Sequence, residues 1–299
     1  MAFDIPDSFR TSVVEGFGEK GSLWLTGLPD LLSELADTWQ VKLGAPLDGL
    51  KGNYVAFAET RAGTELVLKV GVPHLDLRTE IEALDHYQGR GIVRSLESLP
   101  EKSALLLERL TPGTRLNALG NNAEETRIAA RAVLGLRTSP PDKHDFPDWM
   151  DRVESRFRKG REALATHPEF PADWISRAED AVAHCRATNE PDVLLHGDLH
   201  HLNILYDDKR GWTPIDPKGV VGHPALEIGR FSFNFLHVPA EKAKSAIEER
   251  IAIFGEELQD TRAREHALVD VMQCRCEQIG KPDNGWKTLL HYAAGYLVE

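Results

Sequence analysis

The spacing of apolar residues in the first third of the chain predicts a small sheet with one helix inserted between its strands. Apolar positions recur at helical intervals after Pro29, and further on they occur in β-prone runs bounded by turn residues. The predicted elements are a helix that begins at Pro29, strands over residues 53–60 and 65–70 joined by a hairpin turn over 61–64, a helix over 75–87, and strands over 92–99 and 104–110. Because such short turns join antiparallel strands, we expect an antiparallel sheet.

Beyond residue 110 the pattern becomes mainly helical. Predicted helices cover residues 123–137, 146–164, 172–187, 224–236, 240–254, 262–276 and 286–297, and a short β-rich segment over 193–215 interrupts them. Strands followed by helices indicate an α+β fold. The sequence therefore predicts two lobes, a β-rich N-lobe over residues 1–110 and a larger helical C-lobe over residues 111–299.

The β-rich segment of the C-lobe carries the clearest candidate chemistry. In the run LLHGDLHHLNIL, Asp198 and Asn203 stand five residues apart on a polar loop, and Asp216 follows after the next predicted hairpin. Phosphoryl transfer needs a carboxylate that orients and deprotonates a hydroxyl, together with oxygen ligands for Mg²⁺. We therefore predict Asp198 as the catalytic base, and Asn203 and Asp216 as the Mg²⁺ ligands.

Two plainer interpretations of this segment are a simple turn at HGD and a zinc site. Zinc needs three or four converging nitrogen or sulfur ligands. His196, His200 and His201 lack the helical spacing of an HExxH motif. A turn leaves the placement of Asn203 and Asp216 unexplained, so kinase chemistry is favoured.

The run HGDLHHLNIL resembles the catalytic loop of aminoglycoside phosphotransferases, whose signature is His-x-Asp-x-x-x-x-Asn. The following IDPKGVVGHPALEIGRF is similar to the branch that contains streptomycin 6-phosphotransferases and hydroxyurea phosphotransferases. The resemblance extends from about residue 45 to about residue 237 and is weak beyond. It implies a two-lobed protein-kinase-like fold, Mg²⁺, ATP or GTP as phosphoryl donor, and the N-lobe as the nucleotide-binding part.

The resemblance also implies an ion pair in the N-lobe. Lys69, in the apolar run VLKV, is the candidate lysine for the nucleotide phosphates, although an edge-strand lysine can also extend along apolar surface. Glu80 is its expected partner because it stands four residues before Leu84, a predicted core position. Glu82 is the alternative partner.

Two further nucleotide contacts are implied by the resemblance. The strand LLLERL resembles the segment that leads to the hinge, where backbone groups of Glu108 and Leu110 would contact adenine. Gly49 and Gly52 stand where a glycine-rich loop would cover the phosphates, although two glycines are common in any turn. A Walker A motif is absent from the sequence, which disfavours P-loop chemistry.

Three positions near the catalytic loop keep open roles. His196 is expected to brace the loop through backbone hydrogen bonds. Lys218 would meet phosphate or Asp198, and a solvated lysine is a nearly equal alternative. Glu227 stands where relatives place an aspartate that accepts hydrogen bonds from the loop backbone, and its longer side chain leaves that exchange open.

The charge balance bears on the binding partners. The 299 residues include 47 acidic and 35 basic side chains, which gives a net charge of −12. An acidic surface repels nucleic acid and anionic membranes. It suits a cationic small-molecule acceptor, although solubility alone also accounts for this charge.

Location and redox state follow from what the sequence lacks. The first residues do not form a basic-then-apolar signal, and no apolar run approaches the roughly 18 residues of a membrane span. Cys185, Cys274 and Cys276 cannot all pair within one chain, so we expect a reduced, cytoplasmic protein without a metal site at the lone Cys-x-Cys.

These observations predict a kinase of a small polar hydroxyl compound, with antibiotic inactivation of the streptomycin kind as the leading activity. A sugar or amino-alcohol kinase on the same fold is the second hypothesis. A non-catalytic nucleotide-binding pseudokinase is the third, and the presence of Lys69, Asp198, Asn203 and Asp216 argues against it. The acceptor itself and the oligomeric state stay open.

Overall fold

The structure is a computed structural model that describes residues 3–167, 172–234, 236, 238–282 and 285–299. It divides into two compact units, Met1–Thr111 and Pro112–Glu299. The division lies one residue from the predicted lobe boundary. The binding roles assigned to the two lobes stay predictions.

The first unit is a five-stranded antiparallel sheet with two helices. Its elements are α1 (Asp7–Thr38), β1 (Val41–Pro46), β2 (Asn53–Thr60), β3 (Glu65–Gly71), α2 (Leu75–Tyr87), β4 (Ser95–Leu99) and β5 (Ala104–Glu108). The strand order is β1-β2-β3-β5-β4. In this register Lys69 of β3 lies between Val55 of β2 and Leu105 of β5.

The core of the first unit lies between α1 and the sheet. Phe9, Leu28 and Leu32 of α1 are fully buried, and they belong to one apolar cluster with Tyr54 and Leu68 of the strands. Burial of this apolar face stabilises α1 despite the internal Pro29 and a kink at Gly18, where φ is 57°.

Three details of the first unit differ from the sequence-based prediction. The first helix begins at Asp7 rather than Pro29, and β1 was missed. The predicted strand over 92–99 is shorter, since β4 begins only at Ser95, and Ile92 and Val93 are buried ahead of it. The hairpin formed by β2 and β3 was predicted correctly.

The second unit combines helices with two small antiparallel sheets. Its helices are α3 (Asn122–Leu136), α4 (Trp149–Ala163), α5 (Ala172–Ala187), α6 (Gly229–Phe233), α7 (Lys244–Leu258), α8 (Ala263–Glu277) and α9 (Trp286–Val298). The strands are β6 (Pro112–Arg115), β7 (Val193–Leu195), β8 (Ile204–Asp207), β9 (Gly211–Pro214) and β10 (Val220–Gly222). One sheet has the order β6-β8-β9, and the other pairs β7 with β10.

Helix α8 is the most buried helix of this unit. Every residue from His266 to Cys276 is buried, and its apolar members pack with side chains of α4, α5 and α9. A second apolar cluster contains Leu199 of the candidate catalytic loop (residues 196–203), Ile204 of β8 and Phe231 of α6. The loop is therefore anchored in a core on one side. In the described part of the chain, no helix is both long enough and apolar enough to cross a bilayer.

The sequence missed β6 and β10 because each is too short to show a periodic pattern. The helix predicted over 224–236 is a 3-10 helix, Pro224–Ile228, followed by the five residues of α6. Phe235, within that prediction, lies outside the described residues. The other predicted helices of this unit are present with shifts of a few residues at their ends.

Candidate active site

The first unit contains a buried ion pair between β3 and α2. The Lys69 ammonium lies 2.6 Å from Oε1 and 2.8 Å from Oε2 of Glu80, and both side chains are buried. Glu82, the alternative partner, has an exposed carboxylate that lies 3.8 Å from Arg78. The contact fixes the ammonium at one position, because a buried charge is tolerated only beside its partner.

The other predicted nucleotide contacts of the first unit occupy loop and strand ends. Gly49 and Gly52 lie in the connection between β1 and β2 with φ of 70° and 72°, a conformation that favours glycine. Glu108 ends β5, where its Oε1 accepts from the Arg94 N–H at 2.7 Å, and Leu110 is buried just beyond. Their roles in nucleotide binding stay predictions.

The catalytic loop of the second unit begins directly after β7 and is braced by His196. The His196 Nε2–H donates to the Ile215 carbonyl at 2.8 Å, while Nδ1 accepts from the Asp198 N–H at 3.3 Å. Burial lowers the pKa of this imidazole to about 4, so the ring is neutral. The histidine therefore holds the backbone and is occupied at both nitrogens.

Glycine is required at the next position. Gly197 has a φ of 74°, and a Cβ there would lie 2.7 Å from the Val220 side chain of β10. This close approach brings the loop against the segment that contains Lys218.

Glu227 makes the backbone contact that the sequence left open. Its two carboxyl oxygens accept from the His196 N–H at 2.7 Å and the Gly197 N–H at 3.0 Å. Burial raises the pKa of this carboxyl to about 8, against the lowering effect of the two hydrogen bonds. The longer side chain of glutamate thus spans the distance to the loop.

Asp198 lies between two cations. Its Oδ2 is 3.3 Å from the Lys218 ammonium, and its Oδ1 is 3.4 Å from the Arg230 guanidinium. Burial raises the pKa of Asp198, but Lys218 and Arg230 outweigh it and hold the value at about 2. Asp270 of α8 in turn holds Arg230, with Nε donating at 3.0 Å. The carboxylate is therefore ionised, with a cation beside each of its oxygens.

Asn203 and Asp216 offer oxygen atoms that fit a hard cation. The Asn203 amide nitrogen donates to the Asp198 carbonyl at 3.0 Å, which leaves the amide oxygen directed away from that bond. The Asn203 backbone carbonyl accepts from the Ile215 N–H at 2.9 Å, which places the next residue, Asp216, close to Asn203. Asp216 has a left-handed backbone conformation with φ of 59°. Such a pair suits Mg²⁺, which takes few protein ligands when phosphates complete its shell.

The structure does not bring the loop histidines together for zinc. His196 faces Ile215, and the His200 Nδ1 accepts from the Leu202 N–H at 3.2 Å. His201 stacks on Phe231 with ring centroids 3.8 Å apart. Among the described residues, no group of three or more His, Cys, Asp or Glu side chains is placed to hold a metal ion.

Sequence reasoning missed a buried hydrogen-bond network that connects His201 of the candidate catalytic loop to α3 and α7. The His201 Nε2 lies 3.3 Å from Glu125 of α3 and 3.2 Å from Arg250 of α7. Arg250, with 0% exposure, also donates to the carbonyls of Phe231 and Asn234 at 2.8 and 2.6 Å. Arg230 was missed as well. The only sequence feature that pointed to Arg230 was its position in the PALEIGRF stretch. Its partner Asp270 is 40 residues away, so the pair forms no short motif that the sequence could show.

The fold is one that small-molecule kinases share. An amicoumacin kinase in complex with AMP-PNP, Ca²⁺ and Ami superposes with a TM-score of 0.56 at 14% identity, over 90% of this chain and 92% of that chain. The predicted α+β, protein-kinase-like fold is therefore confirmed.

The chain belongs to the aminoglycoside/hydroxyurea antibiotic resistance kinase family, whose model matches residues 39–275. It is 30% identical over 227 residues to a streptomycin 6-kinase of Streptomyces glaucescens, over 75% of this chain and 73% of that protein. A hydroxyurea phosphotransferase of Kitasatospora aureofaciens is 31% identical over 216 residues, 71% of this chain and 62% of that protein. The predicted family and its branch are confirmed, and the chain is a small-molecule kinase that phosphorylates a hydroxyl group.

Proposed function

We propose that this kinase moves the γ-phosphoryl group of ATP, or of GTP, to one hydroxyl of an aminoglycoside antibiotic such as streptomycin, in a Mg²⁺-dependent reaction that inactivates the drug. The observation that carries the proposal is the ionised Asp198 on a loop braced by His196 and Glu227. The similarity to streptomycin 6-kinase supports the choice of acceptor.

Asp198 orients the acceptor hydroxyl and takes its proton as the oxygen forms a bond to the γ-phosphorus. The bond from that phosphorus to the β–γ bridging oxygen breaks, and the nucleoside diphosphate leaves. A carboxylate with a pKa of about 2 is a weak base, so it accepts the proton late, when the hydroxyl has become acidic. Its main contribution is positioning, as expected for a loose phosphoryl-transfer transition state.

Asn203 and Asp216 would hold Mg²⁺, which when bound neutralises charge on the triphosphate. The amicoumacin kinase that shares this fold binds Ca²⁺ with an ATP analogue, which supports a divalent cation here.

In the first unit, Lys69 would bind phosphate oxygens of the nucleotide, and Glu80 holds its ammonium group. Gly49 and Gly52 would lie in the loop that covers the phosphates, and backbone groups of Glu108 and Leu110 would contact adenine.

The acceptor assignment is tested by incubating purified protein with MgATP and streptomycin and analysing the product by mass spectrometry. We expect one added phosphoryl group per molecule, at a single ring hydroxyl. The Asp198→Asn variant is the matched control. It removes the charge at constant size and should yield no product in the same time.

The same experiment separates the alternatives. Hydroxyurea and an uncharged sugar are offered in parallel with streptomycin. Rapid turnover of the sugar without any streptomycin product would overturn the acceptor and leave the catalytic residues in place. If neither MgATP nor MgGTP is hydrolysed and no compound in the panel is phosphorylated with either nucleotide, the proposed reaction fails.

A further inference from the structure

Outside the candidate catalytic loop lies a cluster of titratable side chains that the proposed kinase reaction does not use. It contains Cys185 near the end of α5, His223 directly after β10, and His266 in α8, all of them buried. The two imidazole rings have centroids 6.0 Å apart. Both imidazoles also interact with the Cys185 thiol, so the three residues, distant in sequence, form one buried cluster.

The hydrogen bonds at Nδ1 fix the chemistry of the two rings. The His266 Nδ1 lies 2.7 Å from the Asp260 carboxylate, so it donates. The His223 Nδ1 accepts from the Ala225 N–H at 3.3 Å, so its proton is on Nε2. A ring that accepts at Nδ1 and carries its proton on Nε2 is a hydrogen-bond donor there and a poor metal ligand.

Both Nε2 atoms are buried and, within the described residues, lack a partner in hydrogen-bond geometry. The Glu190 carboxylate lies 3.2 Å from the His223 Nε2, and both imidazoles interact with the Cys185 thiol. His266 with Asp260 behind it can therefore accept the thiol proton, and the Nε2–H of His223 can donate to the resulting sulfur anion. This is the arrangement of a base-activated cysteine nucleophile.

The pKa of Cys185 is lowered, whereas the pKa values of the other two cysteines are raised, as an activated Cys185 requires. Burial raises the pKa of Cys185, but His223 and His266 outweigh it and bring the value to about 7. Burial lowers the pKa of His266, but Asp260 and Cys185 raise it to about 9. Burial raises the pKa of Cys276 to about 12, and it raises the pKa of Cys274 as well.

We propose that Cys185 is a nucleophilic thiolate and a site of covalent modification by small electrophiles and peroxides. With hydrogen peroxide, the sulfur attacks one peroxide oxygen, an S–O bond forms and the O–O bond breaks. The leaving hydroxide takes the proton held on the His266 Nε2 and becomes water. The sulfur is oxidised by two electrons to a sulfenic acid, and the peroxide is reduced.

The approach to the thiol is through the loop that follows α5. Residues 189–192 are exposed, and the Glu190 side chain that faces His223 is 46% exposed. The charged groups around the thiol and its histidines are Glu190 and Asp192 from this loop and Asp260 from the segment before α8. An exposed side chain thus lies beside one of the two histidines that interact with the thiol, and we expect small reagents to reach the thiol from this loop.

The test is residue-resolved labelling of the native protein with iodoacetamide and, separately, with hydrogen peroxide followed by a sulfenic-acid trap. Peptide mass spectrometry measures the rates at all three cysteines from about pH 5.5 to about pH 9.5, a range that includes the free-thiol pKa of about 8.5. We expect Cys185 to react at least about tenfold faster than Cys274 and Cys276 at neutral pH. Its rate should rise with a midpoint near 7.

Asp260→Asn provides the matched variant, since it keeps the size and removes the charge behind His266. It should slow Cys185 labelling at pH 7 and move the midpoint upward, while Cys274 and Cys276 keep their rates as internal controls of folding. In denaturant the three thiols should react alike. Equal native rates, no native labelling of Cys185, or an unchanged midpoint in Asp260→Asn would each overturn the proposal.

Discussion

At the scale of single residues, two charged side chains of the candidate site, half-buried Asp198 and buried Lys69, are kept in place by partners of opposite charge. Lys218 and Arg230 keep Asp198 ionised far below neutral pH, and Glu80 keeps the Lys69 ammonium at a fixed position. A buried charge that has lost its partner is unfavourable, so each pair makes one geometry much more stable than others.

Replacing Asp198 by alanine should lower kcat by roughly 10²-fold or more, because the hydroxyl loses the group that orients and deprotonates it. The KM for nucleotide should change little, because Asp198 faces the acceptor in the proposed reaction. Steady-state and single-turnover kinetics with MgATP measure both quantities. A variant that keeps a near-normal rate of the chemical step would exclude Asp198 as the base.

Glu80→Gln should raise the KM for nucleotide and lower the free energy of unfolding by about 3–5 kcal/mol, because it leaves the Lys69 ammonium buried without its counter-charge. The double variant Lys69→Met with Glu80→Gln removes both charges and should recover much of that stability. It should not recover nucleotide binding. Chemical denaturation and nucleotide titration distinguish the two effects, and normal nucleotide affinity in the double variant would show that the pair is structural.

At the scale of elements, the loop position is set by short strands and a 3-10 helix rather than by long regular structure. β7 and β10 pair over three residues each, and the helix Pro224–Ile228 brings Glu227 under the loop. The loop backbone thus has partners on two sides. His201 adds a third, since it joins the loop to α3 through Glu125.

Glu227→Gln should lower both kcat and stability, because an amide offers one acceptor oxygen where two backbone N–H groups need partners. An unsatisfied buried N–H costs about 1–3 kcal/mol.

The effect of Glu227→Gln on stability should also depend on pH. The pKa of Glu227 rises on folding from its ordinary value to about 8, so the folded state binds the extra proton between these values.

Wild-type stability from this group is therefore present at low pH and declines as pH rises toward 8. The glutamine variant lacks this decline, so the difference between the two unfolding free energies should shrink from pH 5 to about pH 8. Denaturation curves of both proteins at several pH values measure this difference in unfolding free energy. A difference that is constant across this range would mean that Glu227 is already ionised in the folded protein.

At the scale of the whole molecule, the net charge of −12 favours encounter with a cationic acceptor. Streptomycin carries guanidinium groups that pair well with carboxylates. The KM for streptomycin should therefore rise several-fold between about 0.05 M and about 0.5 M NaCl, where the Debye length falls below roughly 5 Å. An uncharged acceptor serves as the control. A KM that does not depend on salt would remove the electrostatic argument for a cationic substrate.

The sequence alone determined the fold class and the family, because both depend on patterns local to the chain. The alternation in residues 53–70 specified the hairpin, and HGDLHHLNIL carried the resemblance to the family. It placed Lys69 and Glu80 on a strand and a helix, and their ion pair agrees with that placement. The binding roles of Lys69, Glu80, Asn203 and Asp216 stay predictions, since they concern ligands.

Only the tertiary structure decided which distant side chains meet. Arg230 reaches Asp198 across 32 positions and is held by Asp270 a further 40 away, and Cys185 shares its surroundings with His223 and His266. Periodicity reports which face of an element is buried, and it carries no information about what another element places against that face. Helix α1 shows the same limit, since packing on the sheet sustains it through Gly18 and Pro29, where local propensity predicts a break.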